Sequence, residues 1–149
     1  IAGLLEGAEL IAQQASSAGV KLTVRNTPIG QFVAQDYLKA PMASGYWYDL
    51  PYPAQCITTM TKTAGQNETH WANPQWDALW LQLNKTPANS TQYRDIIHQM
   101  QTVEYNEGGY LIPGFSNSVD AVASNLEGLS LENTKGPLAG PHFERAWLS

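Results

Sequence analysis

The stretch from Asn73 to Gly109 constrains the fold most, because it carries two amphipathic helices with clear punctuation at their ends. Asn73-Pro74 pairs a capping residue with a proline in the first turn, and Trp76, Leu79, Trp80 and Leu83 then share one helical face. A second helix begins after Asn89-Ser90, places Tyr93, Ile96, Ile97, Met100 and Val103 at the same period, and ends at Gly108-Gly109. Two apolar stripes joined by a short polar link bury each other as an antiparallel hairpin.

Upstream, Ile1, Leu4, Leu5, Ala8, Ile11, Ala12 and Ala15 follow the helical rule, with Gly19 as a left-handed stop. Val20, Leu22 and Val24 alternate with polar residues, the period of a strand with one buried face. Thr27-Pro28 starts a short helix carrying Ile29, Phe32 and Val33, and Pro41 lies beyond its end. The small and aromatic residues from Met42 to Tyr48 suit a strand packed on both faces, broken by Pro51 and Pro53. Tyr110 to Phe115 is expected as a strand interrupted by Pro113, and Val119 to Ala123 as another. The expectation is an α/β fold, a mixed sheet flanked by helices, with a glycine- and proline-rich tail.

Composition narrows the function. The chain has 149 residues, enough for one domain with a core. Only 14% of them are charged, so the surface is covered largely by Asn, Gln, Ser, Thr and Tyr, an unusual exterior for a cytosolic protein. The net charge is −5 and no Lys/Arg cluster exists to neutralise a run of phosphates, which argues against nucleic acid as a partner. Cys56 is the only cysteine, so no disulfide closes within the chain and no thiolate metal cluster forms. In its apolar surroundings Cys56 is expected to be a buried small hydrophobe. No stretch approaches the ~20 apolar residues that span a bilayer. Asn67-Glu68-Thr69, Asn84-Lys85-Thr86 and Asn89-Ser90-Thr91 match the glycosylation sequon, in keeping with an extracytoplasmic location.

Taken in order, several segments resemble the C-terminal region of the family-5 solute-binding proteins, the peptide, dipeptide and nickel receptors of ABC importers. Ala18-Gly19-Val20-Lys21-Leu22 is similar to the family's helix-end "G-I-K-V", and Gly45-Tyr46-Trp47-Tyr48-Asp49-Leu50-Pro51-Tyr52-Pro53 to its "G-W-x-x-D-Y-P-D-P" strand-to-turn signature. Trp71 to Leu79 is similar to "Y-S-N-P-E-F-D-x-L", Tyr110 to Phe115 to "P-V-I-P-L-Y", and Leu126 to Leu129 to "V-K-G-L", with Trp147-Leu148 near the end. The sequence departs from the pattern where Tyr46 replaces a tryptophan, Tyr52 an acidic residue, and Ala54-Gln55 the usual continuation.

The resemblance implies one lobe of a two-lobed periplasmic-binding-protein-like type II fold, residues 1–115 forming the lobe core and 116–149 a tail. It also implies a fragment whose N-terminal lobe lies elsewhere in the protein. The activity implied is non-enzymatic: binding a short peptide between lobes that close by hinge motion, then delivery to a membrane permease. No cofactor or metal is implied, and the place of action is outside the cytoplasm, in the periplasm or lipid-anchored on the cell surface. The implied ligand residues are Asp49, paired with the peptide α-ammonium group, and Gly45, Tyr46, Trp47 and Tyr48, along which the peptide backbone lies as an added strand. Alternation puts Tyr46 and Tyr48 on one face and Trp47 on the other.

Each assignment has a plainer competitor. Asp49 is also placed to bond the backbone ahead of Pro51 as a turn aspartate, and the three aromatics to pack a core. Trp71, Trp76 and Trp80 have the density of a sugar platform, but four-residue spacing on a buried helical face favours packing. Asp77 favours the positive end of its helix. His70, His98 and His142 lack metal-ligand spacing, and Glu104, Glu107 and Asp120 lack any spacing that identifies a catalytic pair. Other family ligands, an oligosaccharide or a nickel chelate, remain alternatives. A secreted hydrolase is the enzyme alternative, with no G-x-S-x-G or zinc signature in its favour.

Overall fold

A computed structural model describes residues 3–117, 121–128 and 145–149, and the chain divides into two units, 1–110 and 111–149. Among its described residues the first unit contains five α-helices. These are α1 (Leu4–Ser17), α2 (Ile29–Gln31), α3 (Tyr52–Gln55), α4 (Pro74–Leu83) and α5 (Thr91–Glu107). Both α2 and α3 run on into a single wide π turn, Phe32–Asp36 and Cys56–Met60 respectively.

The hairpin of α4 and α5 forms as its punctuation requires. Asn73 Oδ1 accepts the Gln75 and Trp76 amides at 2.9 and 3.1 Å, satisfying donors that the first turn leaves without partners. Its Nδ2 donates to Glu107 Oε2 at 2.8 Å, so the start of α4 is tied to the end of α5. Ser90 Oγ caps α5 by accepting the Tyr93 amide at 3.0 Å. Trp76, Leu83, Ile96, Met100 and Val103 are buried between the helices, and Cys56 joins them from the π turn after α3. Tyr52, Trp71, Leu79, Trp80, Tyr93 and Ile97 pack around this core half-buried.

Helix α1 ends as expected: Gly19 takes φ of +81°, and the Val20 amide donates back to Ala15 O at 3.0 Å, a left-handed cap. Its apolar stripe is only partly covered, and no residue of α1 is buried.

The strands expected at 20–24, 42–48 and 110–115 do not form; these residues have no ladder partner among the described residues. A strand is completed by a hydrogen-bonded neighbour, and none of the three segments has one among the described residues. In the second unit, β1 (Leu126–Glu127) pairs antiparallel with β2 (Trp147–Leu148), Leu126 opposite Leu148. The expected strand at Val119 to Ala123 lies partly outside the described residues, as does His142.

Candidate functional site

Residues 43–50 run from the end of the α2 region to the start of α3 without helix, strand or turn. No main-chain N–H or C=O from 42 to 50 is hydrogen-bonded among the described residues, so a row of backbone donors and acceptors faces solvent. Pro51 closes the segment, because it opens α3 and accepts the Ala54 and Gln55 amides at 2.8 and 3.1 Å.

The side chains alternate as the sequence implies. Tyr46 and Tyr48 are 57% and 75% exposed, with ring centroids 5.8 Å apart in a T-shaped pair, which puts them side by side. Trp47 is turned the other way and half-buried, its indole Nε1 donating to Glu68 Oε2 at 3.2 Å. Gly45 is exposed, and a Cβ added there would meet nothing within 4 Å. Asp49 is exposed, and among the described residues its carboxylate has neither a hydrogen bond nor an ion pair. Among the described residues the Asp49 carboxylate accepts from no main-chain amide, so the bond of a turn aspartate is not seen there.

Two carboxylates bond side chains of this segment and its flank: Glu68, which sequence reasoning did not name, and Glu104, which it weighed only as a member of a catalytic pair. Glu68 accepts from Trp47 and, at 3.4 Å, from the Tyr110 hydroxyl. Burial first, and the adjacent Glu68 charge second, push the Tyr110 phenol up to about 12 and raise that of Tyr37. Glu104 Oε1 accepts from the Tyr52 hydroxyl and from Trp76 Nε1, each at 2.6 Å. Burial lifts the Glu104 carboxyl above its ordinary value, and the two donors pull against that rise. Burial, followed by hydrogen bonding to Glu104, also raises the Tyr52 phenol. The signal for Glu104 was in the period: it continues the Tyr93, Ile97 and Met100 stripe by one more turn. Glu68, in a polar loop, had none.

The tryptophans are a packing ladder. Trp76 is fully buried, stacked on Trp80 at 5.8 Å and 10°, with the Trp71 ring edge-on at 6.0 Å. A cavity of about 280 Å³ lies against Trp71, bordered by Leu38, Lys62, Asn67 and His70, and none of residues 45–49 lines it. His70 Nε2 lies 2.8 Å from Leu38 O, and both residues have positive φ. His98 is exposed on α5, and among the described residues no three His, Cys, Asp or Glu side chains converge as metal ligands would. No helix among the described residues is long and apolar enough to cross a membrane. No protein-family model, curated protein or solved structure matches the chain.

Proposed function

We propose that this chain is one lobe of an extracytoplasmic solute-binding protein of the family-5 type, a non-enzymatic receptor that binds short peptides and hands them to a membrane permease. The observation that carries the reading is Asp49: an exposed carboxylate without a partner among the described residues, at the end of a segment whose backbone is also unpaired among them. A peptide laid along Gly45–Tyr48 satisfies those main-chain groups by strand addition, while its ammonium terminus pairs with Asp49. Main-chain recognition tolerates many side chains, and the exposed Tyr46 and Tyr48 rings are placed to pack against them. In the complete receptor a second lobe covers the site, and exclusion of water strengthens the Asp49 contact.

Calorimetry on the complete receptor tests this. Short peptides with a free amino terminus bind, acetylated ones bind poorly, and Asp49→Ala costs about 2–5 kcal/mol of affinity, as when one partner of a buried charge pair is removed. Equal affinity for blocked peptides, or an Asp49→Ala receptor that binds as well as the parent, refutes it.

The Tyr46–Tyr48 pair favours a second reading, an oligosaccharide receptor, since exposed aromatic faces also stack on sugar rings. Mass spectrometry of the ligand retained through native purification separates the two.

A further inference from the structure

Between Pro41 and Pro51 the chain has no main-chain hydrogen bond among the described residues, yet it is not unattached. Trp47 donates to Glu68 Oε2, and Tyr52, just beyond the segment, donates to Glu104 Oε1. Both acceptors are fixed from elsewhere: Glu68 also receives the Tyr110 hydroxyl, and Glu104 the indole of fully buried Trp76. Asp49 sits between the two anchors, two residues after Trp47 and three before Tyr52.

We infer that Glu68 and Glu104 are positioning residues, a pair of carboxylate anchors that hold residues 47–52 from the core side and present Asp49 and the unpaired backbone in a preset geometry. The inference deepens the receptor reading and rests on it for the identity of the ligand. Anchoring by side chains has a definite advantage here. A segment fixed by its own ladder has spent the donors and acceptors that an incoming strand requires, whereas one fixed through Trp47 and Tyr52 keeps them all. An unanchored segment has to be ordered by the ligand, at the expense of affinity.

Amide and indole NMR on the 149-residue chain tests the anchors without ligand. Trp47→Phe and Tyr52→Phe each delete one donor and keep the ring; Glu68→Ala removes an acceptor and Glu68→Gln restores an oxygen. In the parent chain, order parameters for residues 47–52 stay above about 0.6, and they fall below it in Glu68→Ala and Trp47→Phe. Glu68→Gln recovers them, and the melting temperature of the hairpin is unchanged by any change at Glu68. Tyr52→Phe loosens the other end of the segment. Titrating trialanine into the complete receptor carrying the same changes gives an affinity about tenfold weaker in Glu68→Ala and restored in Glu68→Gln. Unchanged order parameters in both Glu68→Ala and Trp47→Phe overturn the anchors whatever trialanine does, and so does lowered order with undiminished affinity. If order falls as stated but trialanine binds the complete receptor at no concentration, the anchors stand and the peptide-receptor reading falls.

Discussion

Glu104 is a carboxylate held by two neutral donors in a half-buried setting beside Cys56, and its protonation is coupled to folding. Because burial raises its native pKa above the unfolded value, the native state holds the proton more tightly. The stabilisation is therefore complete below about pH 4.5, the ordinary value, and is lost as pH rises through the elevated native one. Urea midpoints measured across that range are expected to decline with rising pH, and Glu104→Gln to flatten the profile. A profile equally steep in the variant removes Glu104 as its source. Asp49 is the opposite kind of residue. Exposed and without protein partners among the described residues, it is expected to be replaceable by alanine within about 0.5 kcal/mol of stability. A larger loss in denaturant titration means that the carboxylate serves the fold.

At the scale of elements, the α4–α5 hairpin carries the core of the first unit. Trp76→Ala removes its largest fully buried side chain together with the indole bond to Glu104, and about 3–5 kcal/mol of stability is expected to go with it by chemical denaturation. Asn73→Ala is expected to cost about 1–2 kcal/mol, since one side chain caps α4 and also reaches Glu107. A loss near zero in the second case shows that water replaces the cap. This hairpin was legible in the sequence because caps, prolines and apolar period are local signals, and Ser90, Asn73 and Gly19 act in the structure as their types imply. The strands expected at 20–24, 42–48 and 110–115 were not so constrained, because alternation specifies a face and leaves the neighbour unnamed. The π turns at Phe32–Asp36 and Cys56–Met60 have no residue marker, so the short helix at Ile29 was foreseen without its π turn, and α3, where Pro51 and Pro53 were read only as a break, was not foreseen. Of the candidate site, the alternation of Tyr46, Trp47 and Tyr48 was visible. Glu68 was not, since contacts across a loop 21 residues away leave no trace in spacing.

For the whole molecule, the proposed receptor reading makes the exposed segment 43–50 one side of a cleft whose other side another lobe supplies. Peptide binding by the isolated 149 residues is expected in the millimolar range or absent, against much tighter binding by the complete receptor, as calorimetry on the two side by side measures. Tight binding by the chain alone contradicts a shared cleft. Cys56 provides a further handle on the molecule. Its thiol is completely buried beneath the Tyr52 turn and pushed up to about 12, chiefly by burial, so in the native state it is neither accessible nor ionised at neutral pH. As the chain's sole sulfhydryl, it serves as a built-in stopwatch: the pace at which a bulky disulfide reagent consumes it counts how often the hairpin core opens.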